Sequence, residues 1–370
     1  MNSFVTAIGT ANPQFCISQM QFADFYADAL SFNELERRKL KAFYRYTKIH
    51  SRYTVLEDYT KRQGDFSFYP NNSDFLPIPT ISKRMKVFKE NAINVSMKAI
   101  KNCIDSLESF DPLSINHIIV SSCTGMYAPG VEIEIIEKLG LSTQIGKTAI
   151  NFMGCFAALN ALKIADALCN ANGNYKVLIV NVELPSIHFQ NSVQEEFLIS
   201  NSLFGDGATA MLVDSDPPRG LSLKVKDFFS DISLNGKNDL IWQIGDFGFE
   251  VLLSEYVPII VKGDIKKVVD NMLLKTNMNQ SDIDFYAFHP GGRAILEAIE
   301  SQVGISKEDN RFAYDILKNF GNMSSCTFVF VLAKIFAELS LKDKNKNIFG
   351  CSFGPGLTME SVILECKYLE

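Results

Sequence analysis

The 370-residue sequence has no Cys-x-x-Cys pair among its eight cysteines, and none of its four histidines stands at ligand spacing from them. That argues against a zinc site and a disulfide framework, and reduced thiols in a cytoplasm fit better. Long hydrophobic runs are also missing. The most apolar late stretch, Cys326 to Leu339, is interrupted by Lys334, so no segment is expected to span a bilayer. The opening MNSFVTAIGTANP lacks the basic segment and long apolar core of a secretory signal. Positive charge is not in excess: 36 Lys and Arg face 42 Asp and Glu, with a pI near 5.4. A general nucleic-acid or membrane surface is therefore not expected.

What remains is a globular composition, 47% apolar and 21% charged, with a mean hydropathy of +0.05. At this length two domains, or two halves sharing one interface, are expected. Short apolar strands alternate with helical segments, which argues an α/β architecture. In the first half, strands are predicted at 4–9, 117–122, 147–152, 175–182 and 209–214, with helices at 18–29, 82–107 and 131–139. Residues 59–80, rich in Asn, Pro and aromatics, read as a long surface loop. In the second half, strands at 285–288, 347–351 and 358–366 flank a helix at 293–303 and another running to Leu339.

The spacings match between the halves: 34 residues separate Ser121 from Cys155, and 33 separate His289 from Asn322. Two equal strand–helix–strand–helix–strand units suggest an internal duplication. Halves packed about a pseudo-twofold axis would bring Cys155, His289 and Asn322 from matching loop ends towards one point.

The stretch from Asn151 to Leu168, NFMGCFAALNALKIADAL, is the natural centre of such a molecule. Polar residues recur at Asn160, Lys163 and Asp166 and leave one narrow polar stripe on an otherwise apolar helix, the pattern of a helix buried in a domain's centre. Cys155 opens it, where unpaired backbone N–H groups and the helix dipole favour a thiolate. Taken alone, Cys155 reads equally as an inert core cysteine.

Together, NFMGCFAALNAL, FGDGA at 204–208, HPGG at 289–292, GN at 321–322 and FGPGLTMES at 353–361 resemble the type III polyketide synthases. These are the chalcone-synthase-like group, here of bacterial type, within the thiolase-fold condensing enzymes. The resemblance covers essentially the whole chain. It implies a thiolase-like five-layered αβαβα fold built from two pseudo-twofold-related halves, here 1–215 and 216–370.

It also implies Cys155 as the nucleophile, with His289 and Asn322 as its partners, and Phe204 as a gatekeeping phenylalanine. A second cleft phenylalanine falls on Phe249. Cys123 and His188 stand where plant members carry threonine and would line the pocket, as would Gly354, Pro355 and Gly356 of the FGPG loop. The implied reaction is iterative decarboxylative condensation of malonyl-CoA onto an acyl-CoA starter, ending in cyclisation, with an alkylpyrone or alkylresorcinol as the expected product type. Coenzyme A thioesters would be substrates, with no resident cofactor or metal, in a cytoplasmic homodimer. An initiating ketoacyl synthase of fatty-acid synthesis, transferring to acyl carrier protein, is the alternative, and a silent subunit of a heterodimer is a third reading.

The basic run of Arg37, Arg38, Lys39, Lys41, Arg45, Lys48 and Arg52 reads as a solvated helix face or a phosphate site. Two or three of Arg38, Lys41, Arg45, Lys48 and Arg52 are expected to meet the CoA phosphates.

Overall fold

In the computed structural model, which describes residues 2–72, 74–217 and 219–369, the chain alternates strands and helices from end to end. β1 (Phe4–Ala11) and β2 (Phe15–Ser18) lead into α1 (Gln19–Ala29), whose first turn is closed by a capping box between Ser18 and Gln21. α2 (Glu34–Tyr46) starts on a second capping box, Asn33 with Glu36, and β3 (Ser51–Thr54) follows it. α3 (Ile81–Ile104), β4 (His117–Ser122), α4 (Val131–Leu139), β5 (Gly146–Asn151), α5 (Ala157–Ala171), β6 (Lys176–Glu183), α6 (Glu195–Leu203) and β7 (Gly207–Asp214) complete the first half. The second comprises β8 (Gly220–Ile232), a hairpin of β9 (Leu240–Gly245) and β10 (Gly248–Leu253), α7 (Val257–Lys275), β11 (Phe285–Phe288), α8 (Arg293–Val303), α9 (Arg311–Phe320), α10 (Ser325–Glu338), β12 (Asn347–Gly354) and β13 (Thr358–Leu369).

The main sheet runs β11-β12-β13-β8-β1-β7-β6-β4-β5, and its two parts meet where Phe4 and Val5 of β1 pair with Lys224 and Leu223 of β8. α3 covers β1, β6 and β7 from outside, and α7 covers β8 and β13. α5 and α10 touch each other between the two parts of the sheet. The result is the thiolase-like αβαβα arrangement. Both central helices are apolar around most of their surface, as a layer covered on both sides requires. The polar stripe of α5 meets partners at its edge: Lys163 reaches Glu360 at 2.6 Å, and Asp166 accepts from Ser3.

α4, β11 and α8 have the boundaries their sequence predicts, because glycines mark both helices: Gly140 and Gly304 close them in the left-handed conformation at φ 64° and 75°. The second half departs from the expected duplicate. Where β5 lies in the first half, Arg311–Phe320 forms α9, an amphipathic helix that buries Phe312, Ala313, Ile316 and Leu317 at helical spacing. The 59–80 stretch is likewise more than a surface loop: Tyr59, Phe66, Phe68, Tyr69 and Phe75 are buried in an aromatic core with Phe22 and Phe25. Asp58 pins it by accepting from the Ser67, Phe68 and Tyr69 backbone at 2.8–2.9 Å.

Candidate active site

Cys155 lies in the turn between β5 and α5, two residues ahead of the helix rather than in its first turn. Phe152 (φ 63°) and Gly154 (φ 82°) bend the chain sharply there. Two neighbours brace the bend. Cys123, fully buried after β4, accepts the Gly154 N–H on its Sγ at 2.9 Å. From the other side the FGPG loop presses in: a Cβ on Gly154 would fall 2.2 Å from Pro355 Cδ, and one on Gly354 would fall 2.4 Å from the Phe156 ring. Gly354 and Pro355 thus support the cysteine turn directly, and Gly356 (φ 110°) turns the chain away from it.

His289 follows β11, with its backbone N–H donated to Cys351 O at 2.8 Å. The ring is buried, and its Nδ1 has no hydrogen-bond partner among the described residues. Asn322 sits between α9 and α10, where Gly321 takes φ 70°. A Cβ at Gly321 would come within 2.6 Å of Leu203 O, so the position admits only glycine. The Asn322 amide is oriented on three sides: Nδ2 donates to Gly291 O at 3.3 Å, while Oδ1 accepts from Ser324 N at 2.8 Å and from Thr327 Oγ1 at 3.2 Å. The Gly291 contact ties the histidine turn to the asparagine loop. Ser324, held at φ 50°, ψ −129°, accepts from Cys155 Sγ at 3.7 Å and so brings the thiol to that loop. Desolvation pushes the Cys155 thiol up to about 12, against hydrogen bonds from Ser324 and Asn322, and pushes the His289 imidazole down to about 3. Burial thus favours the neutral thiol and the neutral imidazole, against the helix dipole that favours a thiolate.

Phe204 is joined to Asn322 through the backbone. Asn322 N donates to Leu203 O at 2.8 Å and Gly205 N to Asn322 O at 2.9 Å, forming a parallel β-bridge. The Phe204 ring lies edge-on to Trp242 of β9, 6.3 Å between centroids, and Phe152 packs edge-on against Phe249 at 5.2 Å. Phe249 in turn stacks on His188 at 4.4 Å and 8°. His188 uses both ring nitrogens: Nε2 donates to Thr124 O at 2.6 Å and Nδ1 accepts from Phe249 N at 3.0 Å. Phe204, Trp242, Phe249 and His188 share the wall of a cavity of about 40 Å³.

Three residues in this neighbourhood carry no signal in the sequence. Glu183, buried at the end of β6, accepts from Cys123 N at 3.0 Å and Thr124 Oγ1 at 2.9 Å, and from Ser325 Oγ. Burial raises its carboxyl to about 7. Trp242 and Ser324 are the other two. The basic run is mostly committed elsewhere: Arg38 pairs with Glu34 at 3.0 Å and Lys41 with Asp24 at 2.5 Å. Arg45 lies exposed in the last turn of α2. Arg52 is fully buried over the Phe22 ring and donates to Asn201 O and Phe204 O at 2.8 and 2.7 Å. It is a structural clamp and is sealed from any nucleotide. Lys48 lines an open cavity of about 400 Å³. An apolar mouth of about 210 Å³, with Phe43, Tyr46, Leu253, Val257 and Ile295 in its wall, reaches Gly291 and Leu203.

This layered fold, with a cysteine turn and an asparagine loop meeting beside its two central helices, defines a thiolase-like condensing enzyme. The N-terminal domain model of the chalcone and stilbene synthases matches residues 2–217, the C-terminal domain model matches 228–367, and the chain belongs to that family. It is 29% identical over 367 residues to the alpha-pyrone synthesis polyketide synthase-like Pks18 of Mycobacterium tuberculosis, covering 98% of this chain and 90% of the relative. Among solved structures it is similar to PKS-I of the brown alga Ectocarpus siliculosus, with a TM-score of 0.89, 28% identity and 98% of each chain covered. The C-terminal type III domain of Steely1, a type I/III hybrid from Dictyostelium, gives a TM-score of 0.89 at 27% identity over 99% of each chain. The chain is a type III polyketide synthase, an acyltransferase of the condensing kind. No helix among the described residues is long and apolar enough to cross a membrane.

Proposed function

We propose that this enzyme loads an acyl group from coenzyme A onto Cys155, extends it with malonyl-CoA and releases an alkylpyrone. The observation that carries the reading is the Cys155–Ser324–Asn322 contact set, tied through Asn322 to Gly291 of the histidine turn. Neutral His289 takes the thiol proton as the incoming thioester carbonyl is attacked, and CoA thiolate leaves with a proton. In the next step Asn322 Nδ2, whose 3.3 Å bond to Gly291 is weak, and the His289 ring donate to the malonyl thioester oxygen. Loss of carbon dioxide leaves an enolate there, and each donor is worth roughly 3–4 kcal/mol to it. The enolate carbon attacks the acyl–Cys155 carbonyl, forming the C–C bond and breaking the C–S bond, and His289 reprotonates or again activates the freed sulfur. After two extensions an enol oxygen of the chain attacks the thioester carbonyl, closes the six-membered lactone and expels the thiol.

The α-pyrone named for the mycobacterial relative and the narrow aromatic cavity both favour a short chain closed by oxygen over a long one closed by carbon. The thioesters supply all the reactive groups, so no resident cofactor enters. A cytoplasmic homodimer is part of the same reading: Met126 and Met153, 40% and 38% exposed, sit on the Cys123 and Cys155 turns and supply apolar surface for pairing. The test is purified protein with malonyl-CoA and a graded series of acyl-CoA starters, products identified by mass, with malonyl carrier protein in a parallel arm. A pyrone from CoA substrates, abolished in Cys155→Ala with residual malonyl-CoA decarboxylation, is the expected result. Turnover only from the carrier protein would replace the reading with the ketoacyl synthase alternative.

A further inference from the structure

Arg52 lines the small aromatic cavity beside Phe204, and one edge of its guanidinium is uncommitted. Nη1 is taken by Asn201 O and Phe204 O, the clamp described above. Nε and Nη2 are buried and have no hydrogen-bond partner among the described residues. Those two N–H groups make the side-on edge of the guanidinium, a pair of parallel donors that matches the two oxygens of a carboxylate. A third buried donor without such a partner, Trp242 Nε1, stands in the same wall. The wall itself contains no carboxylate.

Arg52 makes no ion pair among the described residues, unlike Arg37, Arg38 and Lys41. The groups that face it are Tyr44, Tyr59 and Asp206, and burial raises all three above their ordinary values, Asp206 to about 7. The Tyr44 hydroxyl lies beside the guanidinium without the geometry of a hydrogen bond. Asp206 turns its oxygens to Val55 N and to Ser186 N and Oγ, at 2.6–2.9 Å. His188 has both ring nitrogens engaged. Burial lowers the pKa of Arg52, yet a guanidinium stays protonated in proteins, and a buried cation without a counter-ion is costly. The cavity, about 40 Å³, suits the terminal group of a chain. It also adjoins the cysteine turn: Phe152, three residues before Cys155, packs edge-on against Trp242 at 6.5 Å and Phe249 at 5.2 Å.

We propose that the free edge of Arg52 and Trp242 Nε1 form a carboxylate subsite for the far end of the starter, so that the enzyme favours short acyl-CoA thioesters bearing a second, free carboxylate. The inference rests on the thioester reading above and names the starter class of that site. An alkyl end would leave three buried donors unpaired, whereas a carboxylate has lone pairs enough for all of them. The pyrone released would carry the carboxylate at the end of its alkyl arm.

The test sets succinyl-CoA against 4-methylpentanoyl-CoA and glutaryl-CoA against 5-methylhexanoyl-CoA, pairs in which an isopropyl group of similar size replaces the carboxylate. Loading of Cys155 is read by mass without malonyl-CoA, and kcat/KM for pyrone release is read with it. The parent is expected to favour the carboxylate member of at least one pair by roughly tenfold or more in both readouts. Trp242→Phe keeps an aromatic ring against Phe204 and Phe152 but loses the N–H, and should cut that preference by roughly fivefold. Arg52→Lys keeps the charge but loses the paired donors, and should cut it by roughly tenfold. Trp242→Phe decides the matter if Arg52→Lys, which also loosens the clamp on Asn201 and Phe204, does not fold. Equal use of both members, preference for the isopropyl member in both pairs, or a carboxylate preference that neither substitution moves would overturn the subsite while the polyketide reading stands. Failure of every starter to load Cys155 would overturn both.

Discussion

At the scale of the residue, burial disfavours charge on both Cys155 and His289. Burial holds the Cys155 thiol near 12 and the His289 imidazole near 3, so alkylation of Cys155 by iodoacetamide should climb roughly tenfold per pH unit from 7 to 9. A plateau below pH 7 would instead reveal a preformed ion pair. Ser324 combines two properties that substitution separates: a backbone conformation that side chains rarely adopt, costing on the order of 1–3 kcal/mol, and a hydroxyl 3.7 Å from the thiol. Ser324→Gly and Ser324→Ala should slow acylation alike, yet only the glycine should raise Tm; a rise in both would mean the backbone is not strained. Glu183 makes stability depend on pH. Its folded value of about 7 exceeds the ordinary 4.5, so its contribution is full below about pH 4.5 and is lost as pH rises towards 7. Glu183→Gln cannot ionise, and its Tm relative to the parent should therefore improve between pH 5 and pH 8. A constant difference would contradict the buried-acid account.

At the scale of the element, local sequence proved informative where glycines or caps marked an end, as at α4 and α8, and misleading where distant packing decided. The cysteine turn is the clearest case. NFMGCFAAL announces a helix and a reactive residue, yet the bend at Phe152 and Gly154 depends on Cys123 and Pro355, 32 residues before and 200 after Cys155. Cys123→Ser keeps an acceptor for the Gly154 N–H, whereas Cys123→Val leaves that donor unpaired at roughly 1–3 kcal/mol. Urea unfolding should separate the two variants by that amount, and equal midpoints would remove Cys123 from the brace. Cys155, His289 and Asn322 were legible because each follows a strand or helix end in a distinctive glycine-rich context. Trp242 and Glu183 were not, since a lone aromatic or acid within a strand carries no local mark of the cavity it faces. The basic run of α2 was plain in the sequence, but the acidic partners of Arg37 and Lys41 lie on α1, outside it.

At the scale of the molecule, one of the two buried clusters spans both halves, while the other lies within the first. A single cluster of buried side chains runs from Val5 and Ile119 through Ala157 and Leu162 to Phe288, Phe328 and Val362. Calorimetric unfolding should therefore show one endotherm, and fragments 1–215 and 216–370 should fail to fold when produced separately. Two resolved transitions would show that the halves stand alone. The same unity bears on how such an enzyme acquires new products. The β-bridge between Phe204 and Asn322 puts the wall of the aromatic cavity and the amide proposed to hold the enolate on one rigid rung. Insertions or deletions next to Phe204 would move both at once, so a lineage can explore cavity shape there only by exchanging side chains. Length variation is free to accumulate elsewhere around the cavity, and the hairpin of β9 and β10, whose Trp242 meets the Phe204 ring without sharing its backbone, is the place where evolution can lengthen or shorten the chain without disturbing catalysis.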